Sequence, residues 1–373
     1  MPRKVILGFG LSLDGYIARR NGALDFLVID EEGEALMADF FANIDTVIMG
    51  RKTAALHSKM RKAGEVPDMP GFSNYVVSRR WKPGKRDWAK DIPVMRIGLL
   101  GGENDADRLA RVEGYKKLME TTFEVPVKLL VAADYAGVIQ AFAAKQLETA
   151  YMSPAAYASA WLESSGDVVP LVVTQEQDGS NSYVAVMYVR ADSGITSLAE
   201  MKGHSLAWAD PNSASGYLIP RAEFRAQGID PESGKYFGRT GFAGGHEQTV
   251  VAVLNHQYDG GVTWTSGVGD PAVGYTRGAL RMMVDKKMLE MKDLRIIWKS
   301  RPILNGPLTV RKSTPASYQA DMLAFHLALP AAYPDVYHTF DMGNGKGWVP
   351  VKHEDFQVFI DMLQEEAAQR RRR

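Results

Sequence analysis

The sequence predicts an α/β fold made of more than one structural unit. Its 373 residues exceed the roughly 250 to 300 at which a single hydrophobic core stops growing. Strand-like apolar segments alternate with helical segments over residues 95–145, and a second alternation opens near residue 205 and reaches residue 264. Two such units on one chain normally place a ligand at the carboxyl ends of their strands. We therefore expect the functional site in the crevice between them.

The first alternation shows this pattern most plainly. Residues 95–100 and 127–131 are predicted strands, and residues 134–145 are a predicted helix with Val138, Ile139 and Phe142 on one apolar face. Such a helix covers one side of a sheet, as in strand–helix–strand units. Further strands are predicted at 148–152, 168–173, 183–189, 205–209 and 260–264, and further helices after residue 213 and at 246–256.

The segment before residue 95 is predicted to be separate. It contains predicted strands at 5–9 and 46–49 with a helix at 31–43 between them. Residues 78–90 are basic, contain Pro83 and Gly84, and lack apolar periodicity, as linkers do. We place the linker itself at residues 89–93 and expect residues 94–373 to fold and bind ligand without the preceding segment.

The composition excludes several classes of protein. Forty-four basic residues balance 44 acidic ones, so no overall field attracts nucleic acid or an anionic membrane. With zero cysteines and only seven histidines that lack metal-ligand spacing, no metal site is expected. No run of about 18 apolar residues predicts membrane insertion, the start of the chain indicates a strand rather than a signal peptide, and the arginines at 370–373 indicate a frayed terminus. Any anion must be bound by local groups.

Residues 210–216, with the sequence DPNSASG, form the loop best suited to an anion. Hydroxyls and free amides at a helix N-terminus, which carries about half a positive charge, suit a tetrahedral oxyanion without a lysine or arginine. Three or four hydrogen bonds to a charged group, at roughly 1.5–3 kcal/mol each, reach the roughly 8 kcal/mol of micromolar binding. The same residue types are standard helix caps, and the loop alone favours that plainer interpretation.

Two other helix starts carry side chains that suit an anion. His246 follows two glycines, and Tyr135 follows Asp134, a predicted N-cap. Taken alone, such a histidine is more often an exposed neighbour of a cap, and such a tyrosine is more often a packing residue. The glycines at 8–10 and 98–102 do not keep the dinucleotide spacing, and no nucleophile elbow is present. We expect neither enzymatic activity nor a cofactor.

Five stretches in one order resemble a known family. They are residues 96–104 (RIGLLGGEN), 134–139 (DYAGVI), 210–216, 237–247 (FGRTGFAGGHE) and 297–300 (IWKS). Over residues 95–315 the sequence is similar to the phosphonate-binding component of phosphonate ABC importers, a type II periplasmic binding protein family. The resemblance implies a two-lobed α/β fold with a hinge, with lobe 1 at residues 94–190 and 305–373 and lobe 2 at residues 191–304.

The resemblance also implies which groups bind the oxyanion. They are the side chains of Tyr135, Tyr183, Ser213, Ser215 and His246, the amide of Ala214, where some relatives carry threonine, and more weakly Ser153. Relatives that take aminoethylphosphonate present carboxylates at the positions that align with Ser266 and Gly306, and neither position is charged here. With Trp264, Ser266 is expected to select a smaller or less polar substituent.

Residues 1–88 resemble a different family. Residues 12–18 (SLDGYIA), 45–53 (DTVIMGRKT) and 76–79 (VVSR) are similar to the reductase domain of riboflavin biosynthesis and its dihydrofolate-reductase-like relatives. The resemblance implies that residues 50–53 would meet NADPH phosphates. It covers about half of such a domain, because the importer-like sequence begins where the later strands and the phosphate loop should follow.

The expected function is the solute-binding component of an ABC importer. Its ligand is a phosphonate, phosphite or related phosphorus oxyanion, and its partners are the permease subunits, with no nucleic acid and no membrane insertion. Two alternatives stay open: an NADPH-dependent reductase that uses the N-terminal segment, and a cytoplasmic oxyanion sensor. The resemblance implies a periplasmic location, whereas a genuine N-terminus without a signal peptide implies a cytoplasmic one.

Overall fold

A computed structural model describes residues 46–50, 73–77, 87–101, 104–343 and 345–371. The chain divides into two units, Met1–Ser78 and Arg79–Arg373. In the first unit, β1 (Thr46–Gly50) pairs in parallel with β2 (Ser73–Val77), which confirms the strand predicted at 46–49. The rest of the reductase-like resemblance, including the predicted strand at 5–9 and helix at 31–43, lies outside the described residues.

The second unit contains twelve described strands. In chain order they are β3 (Met95–Leu99), β4 (Val127–Val131), β5 (Thr149–Tyr151), β6 (Val169–Gln175), β7 (Ser182–Arg190), β8 (Ser205–Trp208), β9 (Arg239–Phe242), β10 (Gly260–Thr265), β11 (Leu294–Lys299), β12 (Ile303–Leu304), β13 (Pro307–Val310) and β14 (Gly347–Pro350).

Nine α-helices are described between and after these strands. They are α1 (Asp105–Phe123), α2 (Tyr135–Ala143), α3 (Pro154–Glu163), α4 (Ile219–Ala226), α5 (His246–Leu254), α6 (Ala279–Asp285), α7 (Ala316–Ala332), α8 (Pro334–Phe340) and α9 (Gln357–Arg371). A π-helical turn, Ala214–Leu218, precedes α4. Short 3-10 helices lie at Asp87–Lys90, Ala199–Met201, Pro271–Val273, Met291–Asp293 and His353–Phe356. No helix among the described residues is long and apolar enough to cross a membrane.

The strands form two mixed sheets, one in each lobe. The first has the order β14-β6-β13-β5-β3-β4, in which β3 runs parallel to β4 and β5 and the remaining pairs are antiparallel. The second has the order β11-β7-β10-β8-β9, with β12 also paired to β7. The chain therefore crosses between the lobes twice, after β6 and again between β12 and β13.

The first crossover lies earlier in the chain than the sequence predicted. The predicted lobe 1 extended to residue 190, but β7 pairs with β10 and β11 in the second sheet. The physical reason is that Tyr183–Val189 is buried on both faces. A strand that is apolar on both faces fits the centre of either sheet, so its pattern does not show to which lobe it belongs.

The predicted linker also turns out to be part of the first lobe. Trp88, in the 3-10 helix Asp87–Lys90, is only 1% exposed. Its ring packs edge-on against Tyr318 and Phe123 at 5.0 and 5.7 Å, and its Nε1 donates to Asp321 Oδ2 at 2.9 Å. This contact is made by one aromatic residue. A single apolar residue produces no hydrophobic periodicity, so the sequence pattern did not indicate a packed segment. The first lobe therefore begins at or before residue 87.

We expect Trp88→Ala to destabilise the second unit by about 3–5 kcal/mol, the usual loss when a buried tryptophan is truncated. Trp88→Phe should lose much less, because it keeps the ring contacts and removes only the bond to Asp321. Urea unfolding of both variants followed by circular dichroism measures the difference. An unchanged midpoint for Trp88→Ala would show that this segment is a linker after all.

Candidate ligand-binding site

A cavity of about 920 Å³, including its open mouth, lies between the two lobes. Tyr135 and Ser153 line it from the first lobe, and Ser213, His246 and Trp264 line it from the second. Both walls carry polar side chains that follow the carboxyl ends of strands. The cavity is therefore the predicted crevice, and its chemistry depends on how these side chains are held.

Two helices of the first lobe begin at the cavity. The helix α2 starts at Tyr135 after its N-cap Asp134, whose Oδ1 accepts the Gly137 N–H at 2.9 Å. The helix α3 starts after its N-cap Ser153, whose Oγ accepts the Ala156 N–H at 3.1 Å. Helix starts direct N–H groups and partial positive charge outward. This wall therefore favours an anion.

Two helical segments of the second lobe begin opposite them. The turn Ala214–Leu218 starts after its N-cap Ser213, whose Oγ accepts the Gly216 N–H at 3.0 Å. The helix α5 starts at His246. Its N-cap residue, Gly245, has no side chain that could cap the helix. Four helical N-termini thus meet at one cavity, and their partial charges add in the same place.

His246 is held as a neutral ring beside Ser213. Its Nε2 lies 3.2 Å from Ser213 Oγ and its Nδ1 lies 3.1 Å from Thr263 Oγ1. Burial lowers the pKa of His246 to about 4, because a charged ring would be desolvated there. With the proton on Nε2, the ring donates to Ser213 and accepts from Thr263. The Ser213 hydroxyl then keeps its own proton for a ligand.

A second pair of hydroxyls lies on the same side of the cavity. Tyr183, at the start of β7, is 6% exposed and hydrogen-bonds Ser215. Burial raises the pKa of Tyr183 well above its ordinary value, and the bond to Ser215 offsets only part of that rise. Both groups are therefore neutral donors at any physiological pH. Both line the cavity.

The structure brings most of the predicted site residues together, with three qualifications. Ala214 is fully buried and is not among the described lining residues, so only its amide, at the first position of the turn, is suited to a ligand. Ser266 also lies outside that lining, and its Oγ bonds Thr276 Oγ1 at 2.8 Å. Gly306 lines the cavity, but a Cβ there would lie 2.1 Å from the Met152 carbonyl oxygen.

The model of the family of ABC transporter, phosphonate, periplasmic substrate-binding proteins matches residues 97–356, well over half of this chain. The chain belongs to this family. The phosphonate-binding family consists of binding proteins rather than enzymes, and membership of it confirms the recognition drawn from residues 95–315 of the sequence.

Curated relatives and a solved structure show the same likeness. The chain is 28% identical to the phosphate-import protein PhnD of Mycolicibacterium smegmatis over 214 residues, which is 56% of this chain and 63% of that protein. It is 29% identical to the phosphonates-binding periplasmic protein of Escherichia coli over 224 residues, 59% of this chain and 61% of that protein. The matched stretch thus spans less than two thirds of either relative.

The structure of PhnD1 from Prochlorococcus marinus, in complex with methylphosphonate, is similar to this one with a TM-score of 0.63. The two share 16% sequence identity, and the match covers 74% of this chain and 98% of that one. At this identity the likeness concerns the fold. The two-lobed α/β fold expected for a phosphonate-binding family member is therefore confirmed.

In this family member the two lobes are in contact across the cavity. The Tyr135 N–H donates to Asp210 Oδ2 at 3.4 Å, which joins α2 to the end of β8. Lys286, at the end of α6, lies 2.9 Å from Asp107 of α1 and 2.6 Å from Glu247 of α5. The contacts of Tyr135 with Asp210 and of Lys286 with Asp107 cross from one lobe to the other. The structure therefore shows the lobes closed on each other.

A buried ionic cluster that sequence reasoning missed lies behind the cavity. Arg277, 1% exposed, donates to Glu176 Oε2 at 3.4 Å through Nε and bonds Glu176 Oε1 and Asn305 Oδ1 through Nη2. Its Nε also lies 3.8 Å from Asp341 Oδ2. In the sequence Arg277 is one basic residue in a glycine-containing loop, which gives no signal of burial. Arg277 and Asn305 line the cavity themselves.

The charges of this cluster perturb one another. Burial would lower the pKa of Arg277, but the carboxylates of Asp341 and Glu176 raise it above its ordinary value. Burial raises the pKa of Asp341 to about 6, although Arg277 and a hydrogen bond from Thr174 act in the opposite direction. Arg277 is therefore charged at every accessible pH, and Asp341 exchanges its proton near pH 6.

Asp341 should make the stability of the fold fall as the pH rises from about 4 to 6. Below about 4, the ordinary pKa of an aspartate, the group is protonated in both states. Between that value and 6 the unfolded chain releases a proton that the folded chain retains, so rising pH favours unfolding by up to about 3 kcal/mol.

The measurement compares urea unfolding of the wild type and of Asp341→Asn between pH 4 and 7. We expect the stability of the wild type to decline relative to the variant across this window, because asparagine does not ionise. Asp335→Asn, a change at an exposed position of α8, is the control and should follow the wild type. Parallel profiles for wild type and Asp341→Asn would contradict the assignment.

Proposed function

We propose that this chain is the solute-binding component of an ABC importer and binds a phosphonate or a related tetrahedral phosphorus oxyanion in the cavity between its lobes. The observation that carries the proposal is the meeting of four helical N-termini with hydroxyl donors from both lobes. These donors include Tyr135, Ser153, Tyr183, Ser213 and Ser215. A tetrahedral phosphorus oxyanion has three or four oxygens to accept such bonds, and donors on opposite walls can reach them together.

Neutral donors suffice for the expected affinity. Hydrogen bonds to a charged group contribute roughly 1.5–3 kcal/mol each, so four or five of them exceed the roughly 8 kcal/mol of micromolar binding before ordering terms are subtracted. The neutral His246 supports this set by orienting the Ser213 hydroxyl. Burial strengthens each bond, because the local dielectric is lower than that of water.

The names of the relatives support a phosphorus oxyanion as the ligand. One is a phosphate-import protein, one is a phosphonates-binding protein, and one has been solved with methylphosphonate. These ligands share a tetrahedral phosphorus centre with several charged oxygens. We propose the same centre for this chain, with a phosphonate, phosphite or phosphate as its simplest forms.

Closure of the lobes is the proposed signal to the importer. The interlobe contacts of Tyr135 with Asp210 and of Lys286 with Asp107 exist only when the lobes meet. A ligand bonded to both walls favours this closed state by its differential affinity for it. The permease subunits of a periplasm-facing importer would then select the closed form as their partner.

We expect Ser215→Ala and Tyr135→Phe each to weaken binding of methylphosphonate by about 1.5–3 kcal/mol, the usual contribution of one hydrogen bond to a charged group. This corresponds to roughly a ten- to hundredfold rise in Kd. Isothermal titration calorimetry measures it. The control is Ser313→Ala, whose hydroxyl bonds Asp167 on the exposed surface and should leave Kd unchanged.

Titrations with phosphite and phosphate in the same buffer rank the candidate ligands. Micromolar binding of one of these oxyanions, lost in the two site variants and kept in the control, is the expected result. Absence of measurable binding to all three by the wild type would contradict the proposed function.

A further inference from the structure

Arg277 occupies the boundary between the cavity and a pair of buried carboxylates. It lines the cavity, whereas Glu176 and Asp341 are fully or almost fully buried behind it and are not among the described lining residues. Asn305 completes the boundary, because its Nδ2 donates to Glu176 Oε1 at 3.0 Å. The two carboxylates thus lie close to the ligand space but are covered and bonded by a cation and an amide.

The described lining offers no unpaired carboxylate to a cationic ligand group. Glu247 is the one acidic residue in that lining, and Lys286 pairs with it at 2.6 Å. The other charged lining residues are Arg108 and Arg111. Arg108 bonds Asp105 and backbone carbonyls through its Nη atoms. An ammonium group in this cavity would meet cations and an acid that is already paired.

Apolar side chains make up much of the remaining wall. Leu99, Val112, Met282 and Phe340 line the cavity together with Trp264. Trp264 is held between two partners: its ring stands edge-on to Tyr183 at 5.7 Å and 87°, and the Arg277 guanidinium lies 5.0 Å from its centroid. Arg277 therefore contacts an apolar wall of the cavity and offsets one of the two negative charges behind it.

We propose that Arg277 sets the charge that the cavity accepts on the ligand's substituent, and that the natural ligand is a phosphonate whose substituent is uncharged. The inference rests on the proposed function and specifies the ligand class of the same site. Arg277 acts as a specificity-determining residue because it lines the cavity as a positive charge and covers Glu176 and Asp341 on the side of the ligand space.

The test compares binding of methylphosphonate and 2-aminoethylphosphonate, which differ by one ammonium-bearing arm. The wild type should prefer methylphosphonate. Arg277→Gln makes the cluster one charge more negative and exposes the acids. It should therefore shift the ratio of the two Kd values by about tenfold or more toward aminoethylphosphonate, because one unit charge has an effect of this size over a few ångströms. Glu176→Gln makes the cluster one charge more positive and should shift the ratio the other way.

The matched control is the double variant Arg277→Gln with Glu176→Gln, which restores the wild-type net charge of the cluster. Its Kd ratio should return toward that of the wild type. A residue that only stabilised the fold would change both affinities together and leave the ratio fixed. Titrations at pH 8, above the pKa of about 6 of Asp341, keep that carboxylate ionised, and circular dichroism verifies that each variant is folded.

Removing Arg277 leaves two buried carboxylates without a cation, which can prevent folding. Glu176→Gln keeps one carboxylate beside Arg277, with 3.8 Å between Arg277 Nε and Asp341 Oδ2, and provides an independent measurement. A wild type that binds methylphosphonate, with the same Kd ratio in the folded variants, would overturn this inference and leave the proposed function standing. A wild type that prefers aminoethylphosphonate would also overturn it. A wild type that binds no phosphorus oxyanion would overturn the proposed function itself.

Discussion

The geometry of the site depends on the way Asn305 ties the two crossovers together. Its backbone N–H donates to the Asn181 carbonyl at 2.8 Å, and its side-chain amide donates to the Thr174 carbonyl at 2.9 Å. Asn181 lies on the first crossover and Asn305 on the second, so one residue connects both strands of the hinge. Its side chain also reaches Glu176 and Arg277. The hinge and the floor of the cavity are thereby parts of one hydrogen-bonded structure.

In this arrangement the partial charges at the helix starts and the full charges of the buried cluster lie at different parts of the cavity wall. In the proposed function, the oxyanion is bound by neutral hydroxyls and helix N-termini, whose charges are partial and fixed in direction. The full charges of Arg277, Glu176 and Asp341 are paired with one another behind the wall. An oxyanion held by neutral groups can be released when the lobes open, because no buried ion pair with the protein has to be broken. A carrier that must deliver its ligand benefits from that distinction.

Sequence reasoning identified the parts of the site that follow local rules. The helix starts at Tyr135, Ser213 and His246 carry cap residues and glycines whose chemistry acts within a few positions, and a resemblance assigned them to one cleft. The sequence did not predict the burial of Arg277 and Trp88, because it depends on residues more than a hundred positions away. Arg277 contacts Glu176, and Trp88 contacts Asp321. The strand Ser182–Arg190 was assigned to the wrong lobe for a related reason. The sheet to which a strand belongs is determined by the strands that pair with it, and its own apolar pattern does not show them.

Gly306 bears on how this binding protein could acquire new ligands. A Cβ at this position would lie 2.1 Å from the Met152 carbonyl oxygen, and backbone atoms cannot yield as a flexible side chain does. Every substitution here would have to move a strand end of the first lobe before any new group could meet a ligand. An acidic side chain at this point is thus out of reach of a single mutation in the present backbone. A carboxylate for an amine-bearing ligand would therefore have to be introduced at other positions of the cavity wall.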